Sequence, residues 1–463
     1  MKRFNSKKFN QMHITIMGLG KFGGGIGAAM FLAGKGAQIT VTDLKGEHEL
    51  SESISMLKGL GIRYVLGRHE INDFTQADMV VVNPAVPKNS EYIRVARKNG
   101  AILQTEIGLF IQQCPAPICG ITGSNGKSTT VSMIKSILEC TDKTFWIGGN
   151  IGGSLLQSLP DMSPEDIVVL ELSSFQLEWL GEMKWSPHVA AVLNLTPNHL
   201  DRHDSFELYR SAKGNILEYQ KSGDKAILVR DDPGSRNFSE FVRGNLVWVG
   251  TGHDYYGITI EEGWIVRRLV YEISMIFDTI NLSVPGKHNL INAMTAAACA
   301  REIGADNNSV SRGLSSFKGL QHRLEFVGEH NGIKFYNDSK ATTPESTIAA
   351  VKAFDRQVIP ILGGYDKGAA FDHMASEIAG SVPRAALIGT TAGLISEALK
   401  KEGTGFTIYS SLEEAFHGCI AHAKKGDIVV LSPGCASYDM FTDYENRGEI
   451  FKKLVLSYIE NPG

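Results

Sequence analysis

Residues Gly120-Ile-Thr-Gly-Ser-Asn-Gly-Lys-Ser-Thr-Thr130, GITGSNGKSTT in one-letter code, decide how the middle of this chain folds. The apolar run APIC precedes them. VSMIKSILEC follows and puts Val131, Ile134, Ile137 and Leu138 on one helical face. A strand that breaks into glycines and re-enters as a helix is a cradle for phosphate. The glycines let backbone N–H groups approach an anion, and the helix adds its positive end. The glycines stand at 120, 123 and 126. Ile121 occupies the place that the usual G-x-x-x-x-G-K-[ST] spacing gives to glycine. The ending Gly-Lys-Ser still assigns Lys127 to the β/γ-phosphates of a nucleotide and Ser128 to Mg²⁺. A glycine turn serving only chain reversal is the bland alternative, and the flanking strand and amphipathic helix argue against it.

The same alternation of short strands with helices extends in both directions and predicts an α/β protein with mainly parallel sheets. Residues 1–112 contain HITIMGLG, AQITVTD and ADMVVVNPAVP. Gly18-Leu-Gly-Lys-Phe-Gly23 is a literal G-x-G-x-x-G after the first of these. Asp43 closes the second, near the spacing of a ribose-binding acid. Residues 113–319 form the segment around GITGSNGKSTT. There DIVVLELSS carries Glu171 to a strand's carboxyl end, and HVAAVLNLTPNHLDRH sets His199 and Asp201 just past another. Ligands of open α/β sheets collect on that side, and a carboxylate there suits Mg²⁺. Residues 320–463 contain IKFYNDSKATTP, QVIPILGG, AALIGT and DIVVLSPGCAS, again strands ending in small or polar residues. Arg323, Asp338 and Lys340 open this third segment and taken singly read as surface ion pairs.

With 463 residues, two or three domains are expected. An apolar fraction of 43% and a charged fraction of 21% describe a soluble globular chain. A net charge of -4 without a long basic run argues against a nucleic-acid partner. No apolar stretch reaches a membrane span, and the basic start MKRFNSKKFNQ lacks the apolar core of a signal peptide. Six cysteines without C-x-x-C spacing read as reduced thiols of a cytoplasmic protein. A monomer is the default expectation.

Taken in order, GITGSNGKST, GGNIGGSL, LELSSFQLE, NHLDRH, PGKHNLINA, HRLE, NDSKAT and SPGCASYDMF resemble the Mur ligases of peptidoglycan synthesis, in particular their D-glutamate-adding branch. The resemblance runs from Gly18 to about Arg447. It implies three domains: a Rossmann-like one for a UDP-substrate, a P-loop-type ATPase, and a Rossmann-like one for an amino acid. It also implies ATP-dependent amide formation. The carboxylate of UDP-N-acetylmuramoyl-L-alanine is phosphorylated, and the amine of D-glutamate attacks the acyl phosphate.

By the same resemblance Gly123, Ser124, Asn125, Gly126, Lys127, Ser128 and Thr129 form the phosphate loop. Asn150, Asn289 and Asn292, with Arg323, Asp338 and Lys340, complete the ATP site. Ser128 and Glu171 hold one Mg²⁺, and His199 with a carbamylated Lys213 holds a second. Lys127, His199, Lys213 and Arg323 carry the catalysis. Gly20, Lys21, Phe22, Asp43, Asn83 and Ser173 line the UDP-substrate site, and Thr342, Lys367, Ser437 and Tyr444 hold D-glutamate. Tyr444 stands where the family more often has Phe, and His203 where it often has Tyr. The loop NPAVPKNS also departs from the usual pattern.

Other readings explain less. A sister ligase with another acceptor amino acid is the nearest, but the D-N-P-R signature of a diamino-acid adder is missing. Folylpolyglutamate synthase shares the ATP core without the first domain. An NAD-dependent oxidoreductase leaves residues 120–130 and the third segment unexplained. A non-catalytic sugar-nucleotide binder is expected to have lost Lys127, Glu171 or His199.

Overall fold

The computed structural model describes residues 9–20, 23–196, 202–203, 205–252, 255–366 and 368–460. It contains three α/β domains, each on its own, mostly parallel sheet. The chain divides into two compact units, Met1–Thr279 with Ile291–Leu314, and Ile280–Leu290 with Ser315–Gly463. The first unit contains two sheets and the second contains one.

The first sheet comprises β1 (His13–Met17), β2 (Gln38–Asp43), β3 (Arg63–Leu66), β4 (Met79–Val82) and β5 (Ile102–Gln104), all parallel, in the order β3-β2-β1-β4-β5. β4 reads MVVV and is buried throughout, as expected of a strand covered on both faces. Chain order reverses between β1 and β4, which opens a crevice at their carboxyl ends. Gly18 and Gly20 sit there at φ 87° and 65°, a region that side chains resist.

The second sheet has nine strands: β6 (Ile118–Thr122), β7 (Phe145–Gly149), β8 (Ile167–Glu171), β9 (Val189–Val192), β10 (Lys225–Val229), β11 (Asn245–Val249), β12 (Gly257–Glu261), β13 (Trp264–Arg268) and β14 (Ile273–Asp278). Their order is β14-β13-β12-β11-β10-β9-β6-β8-β7. β6 lies between β8 and β9, again where the winding reverses. Val131, Ile134, Ile137 and Leu138 of the following helix, Lys127–Leu138, are all fully buried, as their spacing predicts. The two antiparallel pairings β12–β13 and β13–β14 extend the parallel sheet and were not read from the sequence.

The second unit carries β15 (Glu325–His330), β16 (Ile333–Asn337), β17 (Val358–Leu362), β18 (Arg384–Leu387), β19 (Gly405–Ile408) and β20 (Ile428–Leu431). Their order is β15-β16-β20-β17-β18-β19, with only β15 antiparallel. Among the described residues no helix is long and apolar enough to cross a membrane.

Candidate active site

The phosphate loop leaves β6 at Thr122 and enters its helix through Gly126, at φ 84°. Glycine is required there twice over. The backbone is left-handed, and a Cβ would stand 2.5 Å from Asn292 Oδ1. The loop is braced from β9's end. Asn125 N donates to Asn194 Oδ1 (2.8 Å), and Asn194 Nδ2 donates to Asn125 O (3.1 Å). Ser124 Oγ donates to Thr196 O (3.0 Å) and lies 3.0 Å from Tyr209 Oη. Lys127 Nζ curls over the loop and donates to Gly123 O (2.9 Å) and Ser124 O (3.1 Å). The loop from Gly123 to Lys127 is thus one braced turn, with the Lys127 ammonium folded back onto the carbonyls of Gly123 and Ser124.

Glu171 ends β8 beside this loop and is 2% exposed. Ser128 Oγ donates to its Oε2 (2.7 Å) and Asn150 Nδ2 to its Oε1 (3.0 Å). A hydroxyl and a carboxylate next to a phosphate cradle form an oxygen donor set, which suits Mg²⁺ sharing its remaining positions with phosphate and water. Among the described residues no group of three or more His, Cys, Asp or Glu side chains forms a metal cage by itself. The hydroxyl of Ser128 and the carboxylate of Glu171 fit Mg²⁺ as oxygen donors. His199 lies outside the described residues.

Lys213 is not the surface lysine that its helix, Phe206–Glu218, could have carried, being 2% exposed. Its Nζ donates to Gly123 O (3.0 Å) and Thr122 Oγ1 (3.3 Å) and stands 4.8 Å from the Tyr209 ring centroid. Burial, and next the neighbouring Lys127, hold its pKa well below the usual lysine value, with Glu171 opposing. His203 is buried, lies 2.9 Å from Ser174 Oγ by its Nε2, and stacks on Phe175.

At the first sheet's crevice Asp43 organises the glycine loop. Its Oδ2 accepts from Leu19 N (2.9 Å) and Gly20 N (3.3 Å), and its Oδ1 from Lys45 N (2.9 Å). Asn83 Oδ1 accepts from Ala85 N (3.0 Å), and its Cβ would lie 2.9 Å from a Cβ on Gly18. Ser173 caps the helix Ser174–Glu182 in a reciprocal box with Gln176. Lys21 and Phe22 lie outside the described residues. The loop NPAVPKNS meets the central domain through Arg202, whose Nη2 donates to Val86 O (2.6 Å).

In the second unit Asp338 follows β16 and is 5% exposed. It accepts from Leu324 N (3.1 Å) and Ser432 Oγ (2.8 Å). Burial nevertheless pushes its pKa up to about 7, the two hydrogen bonds and Arg323 only moderating the rise. Arg323 is exposed on a loop whose neighbours His322 and Leu324 take φ 61° and 43°, strained for non-glycine residues. Glu325 Oε2 pins that loop by accepting from His322 N (2.9 Å) and Asn337 Nδ2 (3.0 Å). Lys340 Nζ lies 5.6 Å from the Tyr444 ring centroid. Asn289 Nδ2 donates to Pro285 O (2.6 Å). Ser437 is buried and Thr342 half-buried, while Lys367 lies outside the described residues.

Sequence reasoning overlooked Thr122, Asn194 and Tyr209 around the phosphate loop, and Arg447. Asn194 had a readable signal, since it stands two residues past β9 on the ligand side. Arg447 is fully buried. It donates to Ser339 Oγ (3.0 Å), Ser339 O (2.9 Å) and Cys435 O (3.1 Å), and so ties the NDSKAT and SPGCAS turns together.

Three domain models of one family match the chain in succession. Residues 12–104 match the Mur ligase MurD-like N-terminal domain, 121–300 the Mur ligase middle domain, and 322–435 the Mur ligase glutamate ligase domain. UDP-N-acetylmuramoylalanine–D-glutamate ligase of Roseiflexus sp. (strain RS-1) is 40% identical over 96% of this chain and 98% of its own. That of Clostridium tetani is 36% identical over 98% and 99%. Among solved structures, UDP-N-acetylmuramate-alanine ligase MurC of Thermotoga maritima shares the fold, with a TM-score of 0.60 at 18% identity over 96% of this chain and 100% of that one. MurF of Acinetobacter baumannii does so at 0.60 and 16%, over 99% of each chain. With three successive domain matches and relatives of this identity along nearly its whole length, the chain belongs to the Mur ligase family.

Proposed function

We propose that this chain is an ATP-dependent ligase that joins D-glutamate to UDP-N-acetylmuramoyl-L-alanine, releasing ADP and phosphate, in the synthesis of peptidoglycan precursor. The observation that carries the reading is the Ser128–Glu171–Asn150 cluster on a complete phosphate loop. It stands in a chain aligned over nearly its whole length with ligases named for that reaction. Residues 1–112, 113–319 and 320–463 are assigned to the UDP-substrate, to ATP with Mg²⁺, and to the amino acid.

Catalysis needs the substrate carboxylate and the γ-phosphate held in line, with charge on the transferring group neutralised. The amides of Gly123–Thr129 and the Lys127 ammonium hold the phosphates. Ser128 and Glu171 would hold Mg²⁺, which would supply charge neutralisation to the transferring phosphoryl group. Asn150 and Asn292 orient these groups. The substrate carboxylate oxygen attacks the γ-phosphorus and ADP leaves. The D-glutamate amine then attacks the acyl carbon, loses a proton and expels phosphate. Arg323, Asp338, Lys340 and Asn289 are assigned to ATP, and Thr342, Lys367, Ser437 and Tyr444 to the two carboxylates of D-glutamate. Gly20, Lys21, Phe22, Asp43, Asn83 and Ser173 are assigned to the UDP-substrate. Asp43 acts through the amides it orders.

His199 and Lys213 are assigned to a second Mg²⁺. An ammonium next to a divalent ion is repelled, so Lys213 would serve that ion as a carbamate. Its amine attacks CO₂, an N–C bond forms, and an N–H proton leaves to water. The enzyme is assigned to the cytoplasm as a monomer, and all six cysteines are free thiols. The test is ADP formation with UDP-N-acetylmuramoyl-L-alanine as the only acceptor of phosphate. Dependence on both that substrate and D-glutamate supports the reading, and ADP formation indifferent to them refutes it.

A further inference from the structure

The segment from β7 to the short 3-10 turn Leu156–Asp161 fastens the first unit's two sheets to each other. At its start Gly149 takes φ 94°, and a Cβ there would stand 2.2 Å from Glu171 O. Asn150 N donates to that carbonyl (2.8 Å), and the Asn150 side chain donates to Glu171 Oε1 (3.0 Å). Four residues on, Ser154 is fastened to the first domain. Its Oγ donates to Glu106 Oε1 (2.5 Å), and a Cβ on Gly27 would be 2.3 Å from Ser154 Cβ. Gln157 Nε2 donates to Gly27 O (2.9 Å). Glu106 opens the helix Glu106–Gln113, whose cap Thr105 accepts from Gly108 N (3.2 Å). Between the two anchors lie Gly152 and Gly153, at φ 76° and 79°. Glycines restrict the backbone least of all residues. The direction in which Asn150 presents its amide therefore depends on both anchors.

We propose that Ser154 and Glu106 are positioning residues for Glu171. Pinning the loop keeps the Asn150 amide on Oε1 and leaves Oε2 facing Ser128. The proposal rests on the reading of Glu171 as a metal-holding carboxylate. What Ser154 needs from Glu106 is an acceptor rather than a charge. Burial raises Glu106 to about 7, so near neutrality the group is divided between acid and carboxylate, and both forms keep an oxygen for Ser154. Glutamine offers the same acceptor.

The test compares Glu106→Ala, Ser154→Ala and Glu106→Gln in the full chain, with two readouts. The first is hydrogen exchange without metal or nucleotide. The 149–154 amides should exchange about tenfold faster in both alanine variants, while β8 and the melting temperature stay near wild type. The second is the Mg²⁺ concentration for half-maximal turnover. It should rise about tenfold in the alanine variants, as for loss of a group supporting a metal ligand. The KM for the UDP-substrate should move less, and Glu106→Gln should behave as wild type in both. Alanine variants with unchanged exchange and unchanged Mg²⁺ requirement overturn the proposal, as does a glutamine variant as impaired as alanine. Glu171→Ala separates the two levels. If it shifts the Mg²⁺ requirement and the alanine variants do not, only the positioning role fails. If it leaves the requirement unchanged, the metal reading itself fails.

Discussion

Lys213→Ala should leave a folded protein with little activity. Both acceptors of the Lys213 amine keep another partner. Gly123 O also accepts from Lys127 Nζ (2.9 Å), and Thr122 Oγ1 itself donates to Leu172 O (2.7 Å). Removing the amine therefore orphans no group in this pair, and the stability cost is mainly the void. A lysine-to-alanine void of about 80 Å³, at about 24 cal/mol per Å³, costs about 2 kcal/mol. That corresponds to a few degrees in Tm. The catalytic cost is larger. A unit charge about 4 Å from a divalent ion interacts by about 8 kcal/mol at an effective dielectric of 20, repulsive for an ammonium and attractive for a carbamate. Half of that attraction, about 4 kcal/mol, is worth a factor on the order of 10³ in rate. The assay is phosphate release by wild type and variant at fixed ionic strength, with and without acetate, alongside calorimetry. Acetate entering the void replaces the lost oxygens and restores part of the turnover. Near-wild-type turnover with no response to acetate would refute the carbamate.

Lys127→Ala should abolish ligation and leave uridine-nucleotide binding by calorimetry nearly intact, because Lys127 and Asp43 serve different sheets; a variant with near-normal turnover contradicts the phosphate-loop assignment. Glu171→Ala should raise the Mg²⁺ requirement of turnover about 10- to 100-fold, by the usual worth of a group that holds or orients a metal; an unchanged titration removes Glu171 from the metal site. Asp338 is held near 7 in the folded state against an ordinary 3.8, so the folded protein binds more protons between those values. Its contribution to stability is fully present below about pH 4 and is lost as pH rises through about 7, by at most roughly 4 kcal/mol. Asp338→Asn keeps an oxygen for Leu324 N and should flatten that decline in calorimetric scans across pH 4–8; an unchanged slope shows that Asp338 is not its source.

Much of the site was legible because its residues are tied to backbone geometry. Gly126 announces a left-handed entry to a helix, and Glu171 ends a buried apolar strand where ligands gather. Lys213 was not legible by pattern. A lysine on an amphipathic helix ordinarily faces water, and only the pairing of β6 with β9, far apart in sequence, brings Thr122 and Gly123 over it. Asp43 was read as a ligand-binding acid by its spacing. Spacing cannot reveal that the same carboxylate caps the amides of Leu19, Gly20 and Lys45. The hairpins from β12 to β14 were missed because strands of five or six residues with mixed polar faces leave a weak periodic signal. Arg447 lies in the helix Tyr444–Glu460, where a charged side chain ordinarily faces water. Its burial depends on two turns more than a hundred and about ten residues away.

Everything proposed for this chain turns on activation of the carboxylate of UDP-N-acetylmuramoyl-L-alanine for attack by D-glutamate. The most direct measurement is phosphate release with ATP, Mg²⁺ and that substrate, each amino acid being supplied in turn with product mass determined. Turnover is expected with D-glutamate, giving a product heavier by one glutamyl residue. L-Glutamate should be a poor acceptor, since it carries the same charges but cannot place its amine at the acyl carbon while both carboxylates are held. Equal turnover of the two enantiomers, or preference for L-alanine, a diamino acid or a dipeptide, would contradict it.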